Sequence, residues 1–139
     1  MSAKIPAIMT TTSVSPTVFL CVGSNNIQTD SKTGIMTRLH DLIDMVRCHR
    51  PYADIIIIGL MPRRGNGAYV TLDFQLECNR LMRDLCVSRQ CSFVSIWKEI
   101  SSGRHLLAKD KVHLTTKGKK VLSDKVLEAY CMLNPISEN

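Results

Sequence analysis

The amino-acid sequence predicts an α/β domain in which a parallel sheet lies between two layers of helices. Three short runs, at 17–22, 54–60 and 91–97, are predicted to be strands, and the first two lack the alternation of polar and apolar residues. Such runs are typical of strands that are buried on both faces. The segments that follow them space their apolar residues as amphipathic helices do. Strands that alternate with helices in this way predict a three-layer, flavodoxin-like sheet.

The length and composition fit one globular domain. The chain has 139 residues, of which 45% are hydrophobic and 22% are charged. These values allow a sizeable core and exclude a disordered, collagen-like or coiled-coil protein. We expect a single domain over residues 1–139 with an ordered core at about 17–133.

The first part of the chain predicts a loop, a strand and a helix. Residues 10–16 are rich in threonine and serine, which favours a loop. The run at 17–22 (TVFLCV) is β-branched and aromatic and stops at Gly23. Helical spacing extends from about 31 to 49, and Pro51 ends that helix. Its predicted inward face contains Ile35, Met36, Leu39, Leu42, Ile43 and Val46.

The middle of the chain contains the clearest predicted strand. Residues 54–60 (DIIIIGL) are almost entirely apolar, and the prolines and glycines of 61–67 predict a loop after them. A second helix is predicted from about 70 to 88. Its candidate inward residues are Leu72, Leu76, Leu81, Leu85 and Cys86.

The last part of the chain predicts a strand, a long loop and a final helix. Residues 91–97 (CSFVSIW) form the strand, and 98–112 are expected to be mostly loop. Thr115 or Thr116 can cap the last helix, because a threonine hydroxyl accepts a hydrogen bond from a free amide of the first turn. The predicted inward face of that helix contains Val121, Leu122, Val126, Leu127 and Tyr130.

The charge balance is basic. Lysine and arginine number 18 against 12 acidic residues, which gives a net charge of +6 and a pI near 9.1. This balance permits a polyanionic partner such as a nucleic acid. Two interpretations of the local lysine cluster stay open, a solvated helix start and a nucleic-acid contact. The cluster consists of Lys109, Lys111, Lys117, Lys119 and Lys120.

The cysteines and the apolar runs indicate in which cellular compartment the protein is expected. The six cysteines contain no C-x-x-C pair, so no metal site is predicted, and no cofactor motif occurs. We expect them to be buried free thiols of a reducing compartment. No apolar run is long enough to span a membrane, and the first residues do not form a convincing signal peptide. The expected location is intracellular, either cytoplasmic or nuclear.

Three loops are expected to meet at one edge of the sheet. In parallel sheets, ligands bind beyond the carboxyl ends of the strands, which here are followed by 23–30, 61–70 and 97–114. The last of these loops contains Asp110 and His113. A carboxylate three residues before a histidine can orient the imidazole as a general base, although this spacing also occurs by chance.

The other two loops contain an amide and two cations. Asn25 can donate its side-chain amide to a developing oxyanion, or it can be an ordinary turn residue. Arg63 and Arg64 can bind an anionic substrate, or they can be solvated loop residues. A flavodoxin-like domain that binds an anion through the two arginines is therefore one reading. No glycine-rich phosphate loop supports it.

Four segments together resemble the SGNH (GDSL-like) hydrolase superfamily. They are VFLCVGSNNI at 18–27, IIIIGLMPRR at 55–64, FVSIW at 93–97 and DKVHLTTKGKKVL at 110–122. The resemblance is greatest to the esterase-like domains encoded by vertebrate LINE-type retrotransposons, and it extends from about residue 4 to 133. It implies hydrolysis of a small acyl ester by a serine, histidine and aspartate mechanism without a cofactor.

The resemblance assigns roles to individual residues. The turn that begins at Gly23 matches the family segment Gly-x-Asn-Asp, which makes Asn25 an oxyanion donor. Asp110 and His113 match the acid and the base of the triad. Gly118 matches the glycine at the start of the family's last helix. The sequence departs from the family where Asn26 replaces an aspartate and Lys111 replaces a glycine.

The nucleophile has no counterpart in this chain. The family begins with a strand followed by Gly-Asp-Ser, whose serine attacks the ester, and no Gly-Asp-Ser occurs here. Ser24 lies in a suitable loop, but on the Gly-x-Asn turn. We therefore expect an N-terminally truncated esterase domain with weak or no activity.

The missing first strand also has a structural implication. In the family fold, that strand pairs beside the segment that resembles 17–22. Without it, 17–22 is expected to be an open apolar edge, which could pair two copies of the chain into a homodimer. The alternative to an esterase is a non-catalytic, transposon-derived domain that binds nucleic acid or a protein.

Overall fold

The protein folds as a four-stranded sheet with helices on both faces, which confirms the predicted α/β class. The strands are β1 (Ala7–Thr11), β2 (Val14–Cys21), β3 (Asp54–Ile58) and β4 (Ser92–Val94). The helices are α1 (Lys32–His49), α2 (Leu72–Arg89), α3 (Trp97–Ser102) and α4 (Thr116–Leu133). The computed structural model describes residues 7–11, 14–21, 31–62, 71–102, 105–109 and 113–134.

The sheet has the order β1-β2-β3-β4. The last three strands are parallel, as predicted, and β1 is antiparallel to β2 with Ala7 opposite Phe19. The β1–β2 register shifts between Met9 and Thr11, which marks an irregularity of the β-bulge kind.

The expected loop at 10–16 is a wrong prediction. Most of that segment lies in β1 and β2, whose pairing continues as far as Thr11 opposite Val14. Isoleucine and threonine favour strands, and an antiparallel neighbour needs only a short connection. Strand β2 therefore has β1 on one side and β3 on the other. Pairing with β1 covers the edge of β2 as far as Phe19, so within the described residues most of the edge that was expected to be open at 17–22 is closed. The homodimer through that strand stays a prediction.

One face of the sheet packs against α1 and α2. Alternate strand residues Val18, Leu20, Ile55 and Ile57 are 0–2% exposed and belong to one apolar core with both helices. Each helix begins at a hydroxyl cap, in which Ser31 accepts from the Gly34 amide at 3.0 Å and Thr71 from the Phe74 amide at 3.1 Å. These caps satisfy amides that have no partner within the helix.

The predicted inward face of α1 is largely correct, but that of α2 is rotated. Helix α1 buries five of the six expected residues, and Met36 is half-buried. In α2, Leu76 is 45% exposed, whereas polar residues lie in the buried face. The reason is that Asn79 makes hydrogen bonds inside the protein, as described below. The buried residues of α2 are Gln75, Cys78, Asn79, Met82, Leu85 and Cys86.

The opposite face is covered by α4, with α3 nearby. Helix α3 was expected to be loop, and β4 is shorter than the predicted strand at 91–97 because the chain turns into α3 at Trp97. A helix of six residues is too short to show a periodic pattern. Thr115 caps α4 by accepting from the Gly118 amide at 3.1 Å, as predicted. The predicted burial of Leu127 is wrong, since this side chain is 60% exposed.

The free cysteines only partly match the expected burial. Cys78 and Cys86 are buried and Cys91 is intermediate, but three others are exposed. Burial raises the pKa of the Cys86 thiol to about 12, with a further contribution from Cys91. None of the described helices is both apolar enough and long enough to cross a membrane.

Candidate active site

The carboxyl ends of the three parallel strands are level with one another. Cys21, the last residue of β2, lies opposite Ile58, the last residue of β3, and Ile58 lies opposite Val94 at the end of β4. The chain therefore leaves all three strands along one edge, which is where parallel sheets bind ligands. We call this the carboxyl edge.

The exit of the chain from β3 is fixed by Asn79 of α2. The Leu60 amide donates to Asn79 Oδ1 at 2.7 Å, and Asn79 Nδ2 donates to the Leu60 carbonyl at 2.8 Å. Both bonds are buried. A hydrogen bond is electrostatically stronger in the protein interior than in water. One side chain thus determines the direction in which the chain enters the loop that contains Arg63.

Gly59 allows this approach because it has no side chain. Its amide donates to the Val94 carbonyl at 2.8 Å. A Cβ at this position would lie 2.6 Å from Phe93 Cζ and 3.0 Å from Asn79 Oδ1. The glycine that interrupts the apolar run at 54–60 is therefore required by close packing at the carboxyl edge.

His113 is exposed and lies on a short antiparallel pair of segments ahead of α4. The Ala108 amide donates to the His113 carbonyl at 2.8 Å, and Leu107 forms a β-bridge with Leu114. The Thr115 amide donates to the Leu106 carbonyl at 2.9 Å. The backbone from the His113 carbonyl to Thr115 is thus held by hydrogen bonds.

Thr115 and Gly118 join this pair of segments to the start of α4. The Thr115 hydroxyl donates to the His105 carbonyl at 2.5 Å while it caps α4. Gly118 is buried, and a Cβ there would overlap the Leu106 carbonyl oxygen. Any side chain at residue 118 would push the start of α4 away from the segment that pairs with His113.

A small apolar cluster supports the His113 segment on the carboxyl edge. Its buried members Ile96, Ile100 and Leu106 are 1–5% exposed. Leu114, next to His113, packs against this cluster, as does Met61, which follows β3. The histidine loop and the exit of β3 therefore share one apolar support, which places His113 at the predicted edge.

The other predicted site residues lie outside the described residues. They are Gly23, Ser24 and Asn25 after β2, Arg63 and Arg64 after β3, and Asp110 before His113. The structure thus locates His113 and the ends of the elements that carry the others. The roles of all of them stay predictions.

Two further side chains with nucleophilic atoms lie at the carboxyl edge, and neither was considered from the sequence. Cys21 is exposed in part, yet burial raises the pKa of its thiol, which disfavours the reactive thiolate. Ser95 follows β4, and its hydroxyl accepts from the Trp97 amide at 3.2 Å in a local turn before α3. Neither environment is that of an activated nucleophile.

Asn79 and Gly59 fix the exit of the chain from β3, and sequence reasoning missed both. A signal existed in each case. Asn79 is an amide on a mostly apolar face of a helix, which indicates that it makes buried hydrogen bonds. Gly59 interrupts a strand-like run, which indicates a close approach of another group.

The fold is similar to those of solved esterase structures. The esterase domain of the ORF1 protein from the zebrafish ZfL2-1 retrotransposon superposes with a TM-score of 0.65 at 22% identity. A Bacteroides fragilis protein assigned to the acylhydrolases gives 0.71 at 16%. A catalytic mutant of Axe2, an acetylxylan esterase from Geobacillus stearothermophilus, gives 0.65 at 19%. The chain therefore has the SGNH (GDSL-like) hydrolase fold, as predicted.

The similarity covers most of this chain but less of the similar structures. It includes 80% of this chain and 66% of the zebrafish domain, 81% and 60% for the Bacteroides protein, and 81% and 57% for Axe2. The chain thus spans less than two thirds of the length of these structures. Neither a protein-family model nor a curated protein matches the chain.

Proposed function

We propose that this chain is an SGNH-type esterase domain whose intact form hydrolyses small acyl esters, and that the chain by itself has weak or no activity. The observation that carries the proposal is the placement of His113. It lies at the carboxyl edge of an esterase-like fold, on a backbone held by Ala108, Leu106 and the start of α4. A general base needs such a position, open to substrate and fixed at its backbone.

Each remaining role follows from the chemistry of acyl transfer. His113 takes the proton of an attacking serine hydroxyl and later returns it to the leaving alcohol. Asp110 accepts a hydrogen bond from the imidazole and fixes its tautomer. Asn25, on the turn that begins at Gly23, donates to the oxyanion of the tetrahedral intermediate. Arg63 and Arg64, next to the fixed exit of β3, are the candidate substrate-binding cations.

The proposed low activity rests on the nucleophile. The sequence contains no Gly-Asp-Ser. Cys21 has a raised thiol pKa, and the Ser95 hydroxyl accepts a hydrogen bond from the Trp97 amide. Ser24, on the turn after β2, is the weak candidate for a substitute nucleophile. Without an activated hydroxyl, His113 has no proton to remove, and hydrolysis should stay near the uncatalysed rate.

A rate measurement tests this proposal. The purified chain is assayed with a p-nitrophenyl ester of a short acyl chain, beside His113→Ala and the remote exposed histidine variant His49→Ala. We expect all three proteins to match the buffer rate. Turnover that His113→Ala removes and His49→Ala leaves intact would show a nucleophile within these residues, with Ser24→Ala the next variant.

The lysines of the carboxyl edge favour a second candidate function, nucleic-acid binding without catalysis. Lys109, Lys117, Lys119 and Lys120 are all exposed near the start of α4. Lys117 and Lys119 lie in the first turn of α4, where a positive charge opposes the helix dipole, whereas Lys120 pairs with Asp124 at 3.1 Å. A single-stranded RNA oligomer tests this candidate. We expect affinity to fall steeply with salt, and absence of binding at low salt would exclude it.

A further inference from the structure

The turn at the end of α2 brings two of the free cysteines together. The Cys91 amide donates to the Cys86 carbonyl at 2.9 Å, across a turn in which Gln90 has a left-handed backbone with a φ of 58°. A hydrogen bond between residues five apart, closed by a left-handed residue, is the Schellman motif that ends many helices. The side chains at the two ends of this bond frequently touch. In this chain both of them are cysteines.

The hydrogen bond limits the distance between the two cysteines. With standard backbone dimensions, an N···O distance of 2.9 Å keeps their Cα atoms within about 6.8 Å of each other. Disulfides join residues whose Cα atoms are about 4.4–6.8 Å apart. Both side chains also belong to the core between the sheet and the helices α1 and α2, in which Cys86 is buried and Cys91 packs against the buried residues. The two thiols are therefore neighbours in one apolar region.

Cys91 is the member of the pair that a reagent can reach. It is partly exposed, whereas Cys86 is 1% exposed. Arg47 of α1 donates from Nη2 to the Cys91 sulfur at 3.8 Å, which favours the thiolate. The thiol itself donates to the Arg89 carbonyl at 3.7 Å, and burial raises its pKa although both arginines oppose this. The thiolate is thus a minor form at neutral pH, and the reaction of Cys91 should become faster as the pH rises.

Cys86 is placed to react with Cys91 rather than with a reagent in solution. Burial and then Cys91 raise the pKa of its thiol, and the second cause agrees with the proximity of the two sulfurs. Dithiols resist oxidation when their reduced form is stabilised as a thiolate. Neither thiol of this pair has that stabilisation, because both keep their protons at neutral pH. This favours the disulfide at equilibrium.

We propose that Cys86 and Cys91 are a redox-modification site, at which a low-molecular-weight disulfide such as oxidised glutathione converts the two thiols into one intramolecular disulfide. The Cys91 thiolate attacks one sulfur of the small disulfide, forms a mixed disulfide and releases one small thiolate. The Cys86 thiolate then attacks the Cys91 sulfur, forms the bond between the two residues and releases the second small thiolate. The two protons of the protein thiols pass through solvent to the two released thiolates.

The site lies away from the candidate active site. Cys91 directly precedes β4, so the pair is at the amino end of that strand, whereas His113 is at the carboxyl edge. The disulfide would join the end of α2 to the start of β4 and fix the turn at Gln90 between them. The proposal therefore does not depend on whether the chain hydrolyses esters.

Peptide mapping of the oxidised chain tests the proposal. Trypsin cleaves after Arg83, Arg89 and Lys98, so it places the two cysteines in separate peptides, 84–89 and 90–98. These peptides stay together only where a disulfide joins them. The folded full chain is incubated with oxidised and reduced glutathione in several ratios, its remaining thiols are alkylated, and it is digested without a reductant. Mass spectrometry measures the linked pair over time.

Cysteine variants assign the order of the two steps. We expect the linked pair in the wild type and its loss in both single variants. Cys91→Ala should leave Cys86 unmodified, because that thiol is buried. Cys86→Ala should instead accumulate glutathione on Cys91. Cys131→Ala, the same change at an exposed cysteine, is the control and should give the yield of the wild type.

An arginine variant tests the environment of Cys91. Arg47→Met removes the donor to the Cys91 sulfur, so we expect the first step to slow at least about threefold. Arg50→Met is the matched control, because Arg50 is exposed on the turn after α1, and it should leave the rate unchanged. Equal rates in the wild type and in Arg47→Met would contradict the role of Arg47.

Three results would overturn the proposal. They are the absence of any modification of Cys91 up to about pH 9, a mixed disulfide on Cys91 that never closes onto Cys86, and linkage of Cys91 to another cysteine instead. Circular dichroism confirms that each variant retains its helices before oxidation. If Cys86→Ala does not fold, Cys91→Ala keeps the test decisive, since that side chain is only partly buried.

Discussion

Asn79 is the residue on which the geometry of the carboxyl edge depends most. Its side chain is 6% exposed and makes two hydrogen bonds to the backbone of a single residue, Leu60. A leucine fills a similar volume but can neither donate nor accept. The Leu60 amide and carbonyl would then be buried without these partners.

We predict that Asn79→Leu lowers the free energy of unfolding by about 2–4 kcal/mol, because each buried group left unpaired costs about 1–3 kcal/mol. Asp84→Leu on the same helix is the control, since Asp84 makes an exposed ion pair with Arg80 that contributes less than about 1 kcal/mol. Urea denaturation followed by circular dichroism measures both. Equal destabilisation of the two variants would show that the Asn79 bonds have no special role.

Cys86 makes the free energy of unfolding depend on pH in the alkaline range. The pKa of its thiol is raised from 9.0 to about 12, first by burial and then by Cys91. The folded state therefore keeps this proton where the unfolded state loses it. A group with a raised pKa contributes stability that is fully present below the unfolded value, and that stability is lost as the pH rises through the folded value.

We predict that the free energy of unfolding falls between pH 9.0 and about 12, and that it falls less steeply in Cys86→Ala. Cys131→Ala, the same change at an exposed cysteine, should keep the slope of the wild type. Chemical denaturation at a series of pH values gives the slopes. Identical slopes in the wild type and in Cys86→Ala would contradict the argument.

At the scale of elements, strand β1 bears on whether the edge of β2 is open to pairing with another molecule. It pairs with β2 from Ala7 to Thr11, and β2 is an eight-residue strand whose other side is paired with β3. Strand edges without a neighbour promote pairing between molecules. The part of this edge up to Phe19, which was expected to be open, is therefore protected by the chain itself.

We predict that a chain without residues 1–12 self-associates, because removal of β1 exposes the apolar edge of β2. Sedimentation velocity over a range of concentrations would show oligomers for the shortened chain at concentrations where the full chain does not form them. If the shortened chain sediments as a folded monomer at all these concentrations, the protective role of β1 is wrong.

The elements differ in how well the sequence predicts them. Helices α1, α2 and α4 and strand β3 were predicted within a few residues, because long periodic or apolar runs are strong signals. Strand β1 and helix α3 were missed. The first depends on pairing with β2, which no local pattern encodes, and the second has only six residues.

At the scale of the whole molecule, the alternation of buried strands and amphipathic helices predicts the fold class. The sequence does not predict that α4 covers its face of the sheet incompletely. Periodicity shows that Leu127 belongs to an apolar stripe, but it cannot show whether another element is present to cover it. The sequence therefore predicted burial of a side chain that is 60% exposed.

The candidate site, like the fold, was only partly predictable from the sequence. The position of His113 at the carboxyl edge was predictable, since topology alone brings the ends of parallel strands together. The backbone contacts that hold its segment, through Gly118 and Thr115, depend on distances that a sequence does not contain. The same holds for the hydrogen bonds of Asn79.

The central claim is that His113 is the general base of an esterase that lacks its nucleophile. A fusion tests it most directly, in which the family's first strand with its Gly-Asp-Ser, together with the segment that follows it in the family, replaces residues 1–12, because β1 occupies the edge of β2 beside which that strand is expected to pair. We predict turnover of a p-nitrophenyl ester by the folded fusion, reduced at least about 100-fold by His113→Ala and unchanged by His49→Ala. A folded fusion with no turnover, or with turnover that His113→Ala leaves intact, would contradict the claim.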